Sequence, residues 1–277
     1  MPEPGRFISV SNVTQSHPPI DFGRIQRGVN IETAAMLPVT IPSLEHSFAN
    51  GLSTVVMDTT TDTPVGHIRF SPLFTPELRT HLNLPSDLPD LWEIGTGWID
   101  GSDHFRSQGL YRMVRNDQIS RYQDELNEGN LISIGTTKSL KVLHTLHHAQ
   151  EEFGVEGIIL PHTNMPFIAA FTCICTGNFR CGFQNGVDAC PQRIKPEQFP
   201  GDGAPNTFID HTDLEAITRI QDLNGGSGKI PCTMYLQGKK SAIMNLELRL
   251  QEQFGTPENL IEQLKQPAVN YYSENIN

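Results

Sequence analysis

Apolar and polar positions along the chain separate it into recognisable elements. Leu52–Met57 (LSTVVM) and Pro64–Phe70 (PVGHIRF) flank a TTTDT segment and read as two strands joined by a turn. Trp92 to Ile99 gives a central strand, and Leu110 to about Leu126 gives a helix. Leu131 to Gly135 is another short strand, after which Thr136 and Thr137 are placed to cap a long helix from Ser139 to Phe153. Leu140, Leu143, Leu146 and Phe153 lie broadly along one face of it, and Gly154 stops it. Gly157–Leu160 and Phe167–Cys175 read as further strands. Residues 1–35 hold scattered Pro, Gly and Asn and no long periodic segment. Met36–Ala49 includes a short helix after Pro42 on which Ile41, Leu44 and Phe48 share a face. Residues 71–90, rich in Pro, Asp and Leu, read as an insertion with a short helical turn. That insertion is either a place for substrate contacts or a plain surface loop.

The resulting order is strand, strand, strand, helix, strand, helix, strand. It implies an α/β (α+β) fold with a mixed twisted sheet and flanking helices. Past Cys175 the pattern changes. Residues 176–231 are heavy in Gly, Asn, Asp and Pro. A strand, CTMYLQ, and helical segments at Ala242–Phe254 and Pro257–Leu264 follow. The expected organisation is a core over residues 1–175 and, over 176–277, a C-terminal elaboration or small second domain. No clean linker separates the two.

The chain has 277 residues, long enough to bury a full core without crosslinks. Its 31 acidic and 20 basic residues leave a formal charge of -11. That argues against nucleic acid as a partner, because a large counterion-release term needs clustered Lys and Arg. Any phosphate-bearing ligand must instead be held by a focused local feature. The N-terminus, MPEPGRFISV, shows no secretory pattern. The longest apolar passage, PFIAAFTCIC, has ten residues, too few to cross a bilayer, and reads as a buried strand. These features point to a cytoplasmic chain with mostly reduced thiols and no membrane partner.

One stretch answers the need for a focused anion site. The strand ending at Ile99 is followed by a turn of Asp100, Gly101, Ser102 and Asp103. Then come Arg106-Ser107-Gln108-Gly109-Leu110 and a helical pattern. A glycine-marked turn feeding a helix start presents backbone N–H groups outward, a seat for phosphate, and Arg106 adds positive charge beside it. These residues, in this order of elements over roughly 40–175, resemble the GCN5-related N-acetyltransferase (GNAT) superfamily. There a Q/R-x-x-G-x-G/A motif binds the pyrophosphate of acyl-CoA. Arg106 and Gly109 match its first and fourth positions, whereas Tyr111 stands where Gly or Ala is usual. The family's later helix often ends in Tyr-Glu-x-x-Gly-Phe, with the tyrosine as general acid. Here the text is His148-Ala149-Gln150-Glu151-Glu152-Phe153-Gly154-Val155, with Gln150 nearest the tyrosine's place.

The resemblance implies that Arg106, Ser107, Gln108, Gly109, Leu110 and Tyr111 seat the CoA pyrophosphate. It also implies that backbone N–H groups near Trp98 and Ile99 polarise the thioester carbonyl, with Glu93 as general base, direct or through water. A charged residue at a strand entrance is the plainer alternative for Glu93. His144, His147 and His148 lie on the long helix, His144 and His148 on one face, with His147 spaced to meet Glu151. His148 is the choice if one histidine moves a proton; structural histidines are the alternative. Cys173-Ile174-Cys175, alternating along a strand, would share one face. With Cys181 and Cys190 they lack the paired C-x2-C knuckles of a strong zinc motif, so a buried cysteine pair is preferred and no metal is expected. Gly225-Gly226-Ser227-Gly228-Lys229 lacks the order of a nucleotide-binding loop, because Ile230 follows the lysine, and reads as a turn.

The expected function is therefore transfer of an acyl group from acetyl-CoA or a longer acyl-CoA to the amine of a small molecule. An acyl-carrier protein is a second candidate donor, and association into a homo-oligomer stays open. The alternatives are a non-catalytic ligand-binding or assembly protein with an acyltransferase-like fold, or a metal-dependent enzyme.

Overall fold

The computed structural model describes residues 5–12, 17–32, 39–102, 109–160, 164–175, 209–210, 215–216, 219 and 229–265. The chain forms two compact units. The first comprises the described residues within 1–71 and 94–121; the second comprises those within 72–93 and 122–265.

In the first unit β1 (Phe7–Val10), β2 (Ser53–Asp58) and β3 (Thr63–Pro72) follow one another as antiparallel neighbours. The C-terminal half of β4 (Asp90–Ile99) lies next to β3 in the strand order. Helices α1 (Phe22–Glu32) and α2 (Ile41–Ala49) bury Ile25, Val29, Leu44 and Phe48 against Val10, Val55, Met57 and Trp98. Thr40 caps α2 by accepting the Ser43 N–H at 3.3 Å. Residues 1–35, in which the sequence shows no long periodic segment, contain β1 and the eleven-residue α1. In α1 the apolar positions Phe22, Ile25 and Val29 are spaced for one face, but Gly23 and Gly28 dilute the signal.

Helix α4 (Leu110–Arg121) packs on β2 through a polar network. The Thr54 hydroxyl donates to Asp117 at 2.6 Å and accepts from Arg121. Arg121 also reaches the Asp117 carboxylate at 2.7 Å and the Gly51 carbonyl at 2.9 Å. Thr54 is fully buried, so these bonds replace water that it cannot reach. They fix α4 along its last turn.

In the second unit the strand order is β4, β5 (Leu131–Ser139), β8 (Lys229–Gln237), β6 (Gly157–Leu160), β7 (Ile209–Asp210). β4 pairs with β5 in parallel, from Asp90↔Leu131 to Glu93↔Ile134. β8 enters antiparallel between β5 and β6, far from its place in the sequence. One sheet face, with Leu91, Ile132, Ile134, Ile158, Leu160, Met234 and Leu236, joins the large apolar cluster. α7 (Pro166–Cys175), α8 (Lys240–Phe254) and residues 257–265 contribute to the same cluster. α5 (Gln123–Glu128) packs on β5; α6 (Leu140–Phe153) packs against β5, β6 and β8, and none of its described side chains joins this cluster. Gly154 ends α6 with φ +67°, a left-handed conformation that suits glycine.

Three expectations change here. PFIAAFTCIC is helix α7, not a strand; a ten-residue run that is apolar on all sides carries no period to separate the two. Thr136 and Thr137 belong to β5, which runs to Ser139, and do not cap α6. The helix expected from Leu110 to about Leu126 is broken into α4 and α5 at Tyr122, whose ring packs against Trp92 with centroids 5.0 Å apart.

The segment 71–90 is not a plain surface loop. It forms α3 (Pro76–His81), and Leu73, Phe74, Leu78, Leu82, Leu84 and Leu88 enter the large cluster. Arg79 closes it by donating to the carbonyls of Pro85, Leu88 and Pro89 and to the Asp90 carboxylate at 2.7 Å.

Candidate functional site

The strand–turn–helix passage marked out by the sequence lies in the first unit. β4 ends at Ile99, and the Asp100 N–H still donates to the Val65 carbonyl of β3 at 2.9 Å. Asp100 accepts the Ser102 N–H at 2.9 Å and pairs with Arg24 of α1. Burial pushes its carboxyl up, but the bonds from Ser102 and Arg24 outweigh that and hold it below the usual carboxylate range. This fixes the start of the turn. Residues 103–108, and with them Arg106, Ser107 and Gln108, lie outside the described residues.

On the far side of that turn Gly109 has φ +71°, and its carbonyl accepts the Met113 N–H at 3.0 Å, the first bond of α4. The first-turn amides of Leu110, Tyr111 and Arg112 precede any acceptor within the helix, so the helix opens on donors with its positive dipole end. Leu110 is buried. Tyr111 sets the edge of its ring against β4, 3.4 Å from where a Cβ at Gly97 would stand. Trp98 buries its indole in the core beneath α1, so only its backbone is left for a ligand. The side chain of Ile99 lies against Gly66 of β3, 2.8 Å from a Cβ built there.

Glu93 and His148 belong to the second unit. Glu93 is 5% exposed and forms the last β4–β5 pair, with Ile134. His148 stands on the outer part of α6, its side chain 41% exposed, with Nδ1 3.1 Å from the Glu151 carboxylate. Glu151 meets His148; the side chain of His147, which the spacing sets beside Glu151, lies outside the described residues. The backbone of Cys173–Cys175 is helical, so the strand alternation that put Cys173 and Cys175 on one face does not apply. Cys181, Cys190 and Gly225–Gly228 lie outside the described residues. Among the described residues no group of three or more His, Cys, Asp or Glu is placed to hold a metal, and no helix is long and apolar enough to cross a membrane.

The sequence reading missed a polar patch on the α6 side of the sheet. Ser133, Gly135 and Thr137 of β5 stand opposite Gln237, Tyr235 and Thr233 of β8. Ser133, Thr233, Tyr235 and Gln237 are all buried. The signal was the small and polar residues at alternate positions of two strands, but their pairing joins segments about a hundred residues apart.

Comparison with solved structures finds a distant likeness to a chain in the crystal structure of the NatC complex bound to Gag peptide and CoA. It has 13% identity and a TM-score of 0.37, and it covers 52% of this chain and 82% of that chain. No family profile and no curated protein sequence matches the chain. The sheet is mixed, with β4 and β5 parallel and the pairings β1–β2, β2–β3, β5–β8, β6–β7 and β6–β8 antiparallel, and helices flank it.

Proposed function

We propose that the protein is an N-acyltransferase that moves an acyl group from acyl-CoA to the amine of a small molecule. The observation that carries this reading is the passage from β4 into α4. The strand runs beyond its parallel ladder with β5, turns at Asp100, and re-enters as a helix that opens on Gly109 in a left-handed conformation. In this reading the amides of Leu110 and Tyr111, with Gly109 leaving room for close approach, seat the pyrophosphate. Arg106, Ser107 and Gln108 complete the seat. The backbone near Trp98 and Ile99 polarises the thioester carbonyl. Glu93 is the proposed base for the attacking amine, and His148, exposed and paired with Glu151, is the weaker candidate for moving protons to solvent. An acyl-carrier protein remains the second donor.

The competing reading, a non-catalytic ligand-binding or assembly module, is favoured by Tyr111 and Gln150, where the family pattern has other residues. The two separate on turnover. The protein is incubated with acetyl-CoA or a longer acyl-CoA and a mixture of small primary amines, and free thiol is measured. Amine-dependent thiol release supports the enzyme; thiol release at the hydrolytic background with every acyl length and with acyl-carrier donors refutes it.

A further inference from the structure

A ligand that must order the turn receiving it loses affinity to the entropy of that ordering. The turn between β4 and α4 is held at both ends. On the α4 side the anchor is the Thr54 network on β2. On the β4 side it is α1. Trp98 and Asp100 are two positions apart on a backbone that still bonds to β3 at Asp100, so their side chains leave on one face. Arg24 and Gly28 are four apart on α1 and share one face of the helix.

These two faces meet at both points. The Trp98 indole lies on Gly28, 2.2 Å from a Cβ built there, and the Asp100 carboxylate pairs with the Arg24 guanidinium. Two strand residues span about 6.6 Å and four helix residues about 6 Å, so the spacings match, with α1 running against β4. Helix α1 is itself fixed at each end. Asp21 accepts the Arg24 N–H at 2.9 Å. Asn30 accepts the Val39 N–H at 2.8 Å, and Gln26 and Asn30 donate to the Val39 carbonyl at 3.0 and 3.2 Å.

The Asp100 carboxylate also accepts the Ser102 N–H at 2.9 Å, so one side chain joins α1 to the first residues of the turn. It carries a negative charge next to a turn read as a seat for an anion, and the Arg24 guanidinium offsets that charge.

We propose that Arg24 is a positioning residue for the acyl donor. Acting through Asp100, it fixes the β4 end of the turn and neutralises the one carboxylate there that would repel a pyrophosphate. This rests on the acyltransferase reading above and deepens its donor seat. Arg24 need not touch the ligand.

The test is calorimetric titration with acetyl-CoA of wild type, Arg24→Ala, Arg24→Lys, Asp100→Asn and the double variant Arg24→Ala/Asp100→Asn, with thermal unfolding measured alongside. Arg24→Ala is expected to bind about tenfold more weakly, and Arg24→Lys to stay within about threefold of wild type. In the Asp100→Asn background the Arg24→Ala substitution should change affinity by less than about twofold, because the two groups act as one unit. In turnover the loss should fall on the KM for acyl-CoA and not on the KM for the amine.

An Arg24→Ala affinity within about twofold of wild type overturns the assignment, even if the unfolding temperature falls, because the pair is then merely structural. An equal loss in both backgrounds overturns it as well, since Arg24 would not be acting through Asp100. In either case saturable binding to the wild type leaves the acyltransferase reading standing, whereas a wild type that binds no acyl-CoA overturns both. Should Arg24→Ala fail to fold, Arg24→Gln keeps the stem and donors without the charge, and the same limits apply.

Discussion

The carboxylate of Glu247 on α8 accepts the backbone N–H of Ile168 at 2.9 Å and that of Phe167 at 3.1 Å. A side chain about eighty residues away thus caps α7, directly after the proline that begins it. Helix α7 has no acidic residue in its own first turn, and Glu247 supplies the negative charge that its dipole favours. Burial pushes the Glu247 carboxyl up to about 7, the two N–H bonds offsetting only part of that rise.

This sets a pH dependence of stability. Below the ordinary value of 4.5 both folded and unfolded chains carry the proton. Between 4.5 and about 7 only the unfolded chain ionises, so folding stability falls as pH rises, by up to about 3 kcal/mol. Above that window the dependence levels off. Glu247→Gln is expected to flatten the profile between those limits, read by urea unfolding at a series of pH values. Curves that run parallel in both proteins would remove Glu247 as the cause.

Trp98 and Gly28 make a second test. A Cβ on Gly28 would lie 2.2 Å from the indole Cε2 and Nε1. Gly28→Ala gains about 1 kcal/mol of helix propensity but forces the indole out of its place, and overpacking of a dense core costs about 1–3 kcal/mol. Thermal unfolding is expected at a lower temperature for Gly28→Ala alone. In a Trp98→Ala background the same substitution should become neutral or stabilising. Equal effects in both backgrounds would mean that the indole does not set the glycine requirement.

The anchor of α4 is testable at Thr54. Thr54→Val removes the hydroxyl that links Asp117 and Arg121 to β2 and should cost about 1–3 kcal/mol. Denaturant midpoints compare the two proteins. Because this network fixes the helix whose first turn is the proposed pyrophosphate seat, weakened acyl-CoA binding should accompany the loss. Unchanged stability would show that the network carries no net energy.

Several elements were legible because each obeys a local rule. The β2–β3 hairpin shows its β-branched runs, β4 ends on a turn of Asp and Gly, and α6 shows its period and its stop at Gly154. What escaped was set by contacts between distant residues. The N-terminal amides of α7 are satisfied by Glu247, so no acidic residue in its own first turn marks the helix start. Gly28 weakens the helical pattern of α1 because Trp98 needs the space. Tyr235 meets Gly135 only because β8 enters the sheet beside β5, a pairing that neither strand's sequence states.

The most direct measurement is calorimetric titration of the purified protein with acetyl-CoA and a longer acyl-CoA, repeated on Arg106→Ala. Saturable binding to the wild type that is lost in the variant is the expected result, and the preferred acyl length would then define the donor. Absence of binding at millimolar acyl-CoA, or binding that survives the substitution unchanged, would contradict the assignment of the β4–α4 passage as a pyrophosphate seat.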